Sequence, residues 1–377
     1  MVYSGMFIGM LPLVIQFGIS ISEKDVDGII DEFPHILTAV GTMIKFCNIS
    51  LNHQHIKTLL DLILKDWEVL TNELHMLNKI TTQGNRIANL YRTTLLSFLM
   101  VFIAIPLIPP ALDIIAPLNV TRPRQPMFRA NYVIIKVDDH FFVTYVHMAS
   151  VASLGVFIIV TVDSLYMLII HHACGLFDVC GYQVQMATKN SILSYEEFRQ
   201  CVITHHKALH FFNTLQECSQ NMNLMLVGIN MLLISMTAVQ VTMSLCLNFP
   251  NINYITFILQ IILYIDQPAD AMRFILFLIA EKFHLLVISL FGQILLNYAS
   301  SLPEKIFSSN WYEMPVKYQK ILYMMIIRCN KTCNLSAGGL YDMNIENFGK
   351  VCTDSCIGRA IMVGCMIMLN LFCLKDS

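Results

Sequence analysis

ILYMMIIRCNKTCNLSAGG, residues 321–339, is the stretch that fixes how the rest of the chain is arranged. Its apolar part, residues 321–327, amounts to about 10 Å of helix, too short to cross a hydrocarbon core of roughly 30 Å. It must pack against protein or lie at a surface. Arg328 closes it, and Leu335-Ser336-Ala337-Gly338-Gly339 follows. Glycine there lets the backbone turn sharply, and Ser336 is placed to cap the next segment. The predicted order is half-helix, hinge and last apolar span, with residues 297–347 forming the cytoplasmic half-helix and hinge.

Working outward, the 377 residues are 56% hydrophobic and 13% charged, with a mean hydropathy of +0.60. That is too apolar for a soluble domain of this length and predicts an all-α, polytopic membrane protein embedded in a lipid bilayer. A net charge of -2, with Lys and Arg dispersed through polar connections, offers no basic surface for nucleic acid. The 12 cysteines are scattered within or beside apolar runs, where a thiol behaves as a small hydrophobe, and they predict no disulfide framework.

Seven transmembrane helices are predicted, over residues 1–21, 33–51, 94–118, 141–171, 223–249, 274–296 and 348–374. Residues 52–92 carry mixed charge with Ile56, Leu59, Leu60, Ile63, Leu64 and Trp67 at helical spacing, an amphipathic helix outside the bilayer. Pro106, Pro109 and Pro110 break or end the third span. The fourth apolar run corresponds to about 46 Å of helix, so it should project beyond the membrane. Asp163 lies roughly 27 Å beyond Tyr145, where an acid is expected near the opposite boundary. Glu281, Lys282 and His284 interrupt the sixth span. No internal repeat is evident, which argues against the duplicated halves of many transporters.

Lys and Arg distribution sets the orientation. Lys57, Lys65, Lys79, Arg86, Arg92, Lys189, Arg199, Lys207 and the cations of 305–331 fall on one side of a seven-span chain; Lys24, Arg122, Arg124, Arg129 and Lys136 fall on the other. The richer side should be cytoplasmic, which puts the N-terminus inside and the C-terminus outside. The loop after residue 118 is then extracellular, consistent with the glycosylation sequon at Asn119.

Phe283-His284-Leu285-Leu286, Gly292-Gln293, Trp311-Tyr312 after Asn310, the run through Met325 to Arg328, and Leu335-Ser336-Ala337-Gly338 together resemble the C-terminal signature of insect odorant receptors, nearest the hymenopteran branch. The resemblance extends to Cys174-Gly175-Leu176-Phe177 and to 25–31, covering nearly the whole chain. It implies an odorant- or pheromone-binding tuning subunit of a ligand-gated, non-selective cation channel. Its partner would be the insect odorant co-receptor in a heteromeric tetramer, in the plasma membrane of olfactory sensory neurons. No cofactor and no enzymatic activity are implied.

Two features depart from that family. The chain starts inside the first span, which predicts a truncated copy. The last span holds Ser355-Cys356-Ile357-Gly358-Arg359 where relatives have a Ser-Tyr-Phe-like run. Reaching 30 Å from the apolar residues 360–374 takes in Val351, Asp354, Ser355, Gly358 and Arg359, and a water-filled pore can hold both charges. Asp354 would concentrate cations and Arg359 would oppose them. The alternatives are a nonfunctional receptor copy or a gustatory-receptor-like channel, with a transporter less supported.

The resemblance also implies an apolar ligand pocket in the outer half of the bundle. His35, Phe102, Tyr145, Met148, Met236 and Phe274 are the candidates there for a volatile or hydrocarbon ligand, although each also fits ordinary helix packing. Cys329, Cys333, Cys352 and Cys356 repeat a short spacing, yet no hydrophilic module surrounds the second pair, so no metal site is predicted. No nucleophile elbow, phosphate loop or paired-carboxylate motif is present.

Overall fold

The computed structural model describes residues 2–116, parts of the loop 122–140, and residues 141–189, 195–246 and 268–353; the side chains of 2–7, 27, 30, 234–246, 268–275, 352 and 353 lie outside the description. Asn119, Asp354, Ser355, Gly358, Arg359, and the side chains of Met236 and Phe274, therefore fall outside the described residues, as does most of the predicted span 348–374.

The described chain is helical. Helix α1 is Val2–Glu23, α2 is Val26–Leu51, α3 is His53–Val69, α4 is Leu74–Ala104, α5 is Ile108–Ile115, α6 is Phe141–Lys189 and α7 is Tyr195–Cys246. Helix α8 is Pro268–Phe307, α9 is Val316–Cys329 and α10 is Ile345–Thr353. Three helical stretches, Leu74–Ile115, Phe141–Lys189 and Leu276–Phe307, are long and apolar enough to cross a membrane. Helix α6 has 49 residues, about 74 Å, so it extends well beyond a 30 Å core.

Local chemistry sets the breaks. Lys24 takes φ 57°, and the Gly28 amide donates to Asp25 Oδ1 at 3.1 Å, capping α2. Asn52 ends α2 and starts α3. Pro106 sits in a 3-10 turn at Ile105–Leu107, and Pro109 and Pro110 occupy the first turn of α5, where their missing N–H groups leave no bond unmade. The polar-to-apolar transition near Arg92 is not a helix boundary. Helix α4 runs straight through it, because the transition marks a change of surroundings and not of backbone.

Helix α6 lies at the centre, packed on α4, α7 and α8. Close approach is possible where side chains are absent. A Cβ on Gly84 of α4 would stand 2.3 Å from the His171 ring on α6, and one on Gly292 of α8 would stand 1.8 Å from the Met343 carbonyl oxygen.

Residues 321–327 form part of α9, with Leu322 and Met325 buried and Tyr323, Met324 and Ile327 exposed. Ser336 is not a helix cap. It belongs to a two-stranded antiparallel hairpin, Ser336–Ala337 with Tyr341–Asp342, turned by Gly338 and Gly339 at φ 59° and 73°, a region that disfavours any side chain. Gln216 on α7 holds the hairpin by donating to Ser336 Oγ at 2.6 Å and accepting from the Ser336 amide at 3.0 Å. Asn344 supplies the cap for α10, its Oδ1 accepting from the Asn347 amide at 2.8 Å.

Candidate functional site

Each helix in the upper bundle turns one face to a shared cavity of about 220 Å3. On α2 the facing residues include His35, Thr38, Thr42 and Lys45; on α4, Leu95, Phe98, Leu99 and Phe102; on α7, Leu226, Ile229, Asn230 and Leu233. These three- and four-residue intervals keep side chains on one side of a helix. Helix α6 contributes Val151, Gly155 and Ile159, α8 contributes Phe277, Ala280, Glu281 and His284, and α1 and Phe128 close the remaining sides. The wall is chiefly apolar, as befits a small-molecule site.

The cavity is graded along α2. Near His35 it is aromatic: the ring lies 6.2 Å from Phe102, 5.6 Å from Phe128 and 5.9 Å from Phe277. Ten residues further along, about 15 Å, Lys45 enters a buried charged cluster. Lys45 pairs with Asp163, and its Nζ lies 3.0 Å from His284 Nε2. With the proton on Nε2, His284 donates to Asp163 Oδ2 at 3.0 Å, and Tyr91 donates to the same oxygen. Asp163 is 5% exposed, so it stands inside the bundle with partners from α2, α4 and α8, and not at a membrane boundary. Burial of such a carboxylate requires this pairing.

Among the residues singled out from sequence, His35 and Phe102 are brought together at the aromatic end. Tyr145 donates to the Ile103 carbonyl at 2.9 Å and stacks on Phe141, and Met148 is buried within α6; neither borders the cavity. Phe98, Phe128, Phe277 and Asn230 line it without having been singled out. For Phe98 and Phe277 the signal was available, since each sits one turn from another lining residue on its helix. Trp311 and Tyr312 form a 3-10 turn before α9, Arg328 lies in the last turn of α9, and Leu335 and Ala337 are buried around the hairpin. Val351 is half-buried on α10. Among the described residues no group of His, Cys, Asp and Glu is arranged to hold a metal ion.

A second polar cluster ties the opposite end of the bundle. Asp66 on α3, fully buried, accepts from Lys207 on α7 and lies 3.0 Å from His172 Nε2 on α6. Lys305 on α8 pairs with Asp178 on α6. His205 on α7, beyond the predicted span, lies 3.6 Å from Cys329 Sγ of α9; burial holds its imidazole down to about 4 and pushes the Cys329 thiol up to about 11.

The fold is that of known insect olfactory receptors. The olfactory receptor OR5 from Machilis hrabei, solved in complex with eugenol, superposes with a TM-score of 0.73 at 11% identity, covering 98% of this chain and 88% of that one. A second structure of the same receptor gives a TM-score of 0.71 at 12% identity, covering 100% of this chain and 87% of that one. No curated protein sequence matches the chain. A sequence profile described as 7tm odorant receptor matches residues 25–353. With that span, the apolar helices and the shared fold, the chain belongs to the 7tm odorant receptor family, as a multi-pass membrane receptor of the ligand-gated-channel type and not an enzyme.

Proposed function

We propose that this odorant receptor is the tuning subunit of a non-selective cation channel, assembled with the insect odorant co-receptor as a heteromeric tetramer in the plasma membrane of olfactory sensory neurons. The observation that carries the reading is the cavity of about 220 Å3 enclosed by α1, α2, α4, α6, α7 and α8. Its largely apolar wall and aromatic end around His35 and Phe102 suit volatile or hydrocarbon ligands, which gain most from burial of apolar area. In this reading seven spans leave the N-terminus cytoplasmic, the receptor is of the hymenopteran type, and Val351, Asp354, Ser355, Gly358 and Arg359 line the ion path.

The test is to fill the cavity without disturbing the helices around it. A Cβ at Gly155 would meet only Thr42 Oγ1, at 4.0 Å, so Gly155→Leu places its bulk in the cavity. The variant is expected to reach the cell surface and to respond to an activating odorant at least tenfold more weakly. An undiminished response would place the ligand elsewhere.

A further inference from the structure

The cavity contains polar atoms that the protein leaves unanswered. Asn230 is 5% exposed; its Nδ2 donates to the Leu226 carbonyl at 3.0 Å, while Oδ1 has no partner. Glu281 also lines the cavity, and among the described residues its carboxylate makes no hydrogen bond or ion pair. It stands close enough to Lys45, His284 and Asp163 to feel their charges, but the Lys45 ammonium and the His284 N–H are directed into the Asp163 cluster. Both unmatched groups are acceptors in a chiefly apolar wall, and Glu281, which is half-buried, is the one open to the cavity, since Asn230 Oδ1 has almost no accessible surface. A buried acceptor without a donor is unfavourable, and a ligand that supplies the donor removes that penalty.

We propose that the cavity selects ligands with an apolar body and a hydrogen-bond-donating head, a hydroxyl or an amine, received by the Glu281 carboxylate. The body lies toward His35, Phe102 and Phe277, one turn and more from Glu281 along α8. An aldehyde or alkane leaves Glu281 unmatched. A carboxylate sets like charge against Glu281. This rests on the cavity being the ligand site, and the readout is binding, which does not require a channel.

The experiment measures binding of 1-hexanol, hexylamine, hexanal, hexane and hexanoic acid to the purified full chain in lipid nanodiscs, by thermal shift over a concentration series. The alcohol and the amine should bind at least tenfold more tightly than the other three. Glu281→Leu should reduce that preference below threefold while leaving hexane unchanged. Glu281→Gln keeps one acceptor and removes the charge, so it should bring the amine down to the level of the alcohol, and it serves where Glu281→Leu does not fold. Hexanal or hexane binding within threefold of hexanol would overturn the assignment. So would a donor preference that survives Glu281→Leu, or a native chain that takes none of the five. Donor-selective binding without odorant current would contradict the channel reading and leave this assignment standing.

Discussion

Replacing Asp163 with Asn removes one charge and almost no volume from the centre of the bundle. Asp163 and Lys45 are 5% and 2% exposed, so the change leaves an ammonium buried without its counter-ion and weakens the bonds from Tyr91 and His284. Breaking a buried pair from one side costs about 3–5 kcal/mol. Lys45→Met leaves the complementary orphan, a buried carboxylate without its ammonium partner, and should cost a similar amount. The double variant Lys45→Met with Asp163→Asn buries no net charge and should lose on the order of 2 kcal/mol or less, giving a coupling energy of several kcal/mol. For a chain of 377 residues, each single variant should lower the midpoint of thermal unfolding in nanodiscs by about 4–6 °C. Single variants within about 2 °C of the native protein, or strictly additive losses, would refute the view that this pair holds α2, α6 and α8 together.

Other perturbations probe separate parts of the account. Gly292→Ala forces a methyl into the Met343 carbonyl and should destabilise by about 1–3 kcal/mol in the same thermal assay; Gly349→Ala, at a helical position with open space, serves as the control and should stabilise by about 0.5–1 kcal/mol. Gln216→Ala strips the Ser336 backbone of its donor and acceptor, and should cost about 1–3 kcal/mol and expose the hairpin to proteolysis. His205, held near 4 when folded and ordinarily near 6.5, takes up its proton more readily in the unfolded chain. Its stabilising effect is therefore full above about pH 6.5, falls as pH drops through the window to about 4, and totals on the order of 3 kcal/mol; a His205→Phe variant should flatten that part of the stability profile. Asp354→Asn should lower cation conductance and Arg359→Ala should raise it, read by single-channel recording of the receptor.

Much of the helical framework is written locally. The apolar composition, the short run at 321–327 and the glycine pair after it lead directly to a helical membrane chain with a short helix and a tight turn before α10. The rest depends on partners far away in the chain. Asp163 sits among apolar residues like an acid at a boundary, because Lys45 and His284 are 118 and 121 residues distant and their pairing leaves no local trace. Ser336 looked like a cap because Ser commonly caps helices, but Gln216, 120 residues away, fixes it in a strand. The family resemblance and the outer position of their helix segments put His35 and Phe102 forward, and spacing shows which residues share a face of α2 or α4 with them. It does not show where that face points, which is why Phe128 and Asn230 emerged only once the helices were packed.

The most direct measurement is whole-cell current in cells expressing this chain together with the insect odorant co-receptor, set against the co-receptor alone, across a panel of volatile and cuticular hydrocarbon ligands with surface labelling in parallel. The account predicts an odorant-evoked cation current that requires both chains and is at least tenfold weaker in Gly155→Leu. A receptor displayed on the surface that adds no ligand response to that of the co-receptor would contradict it.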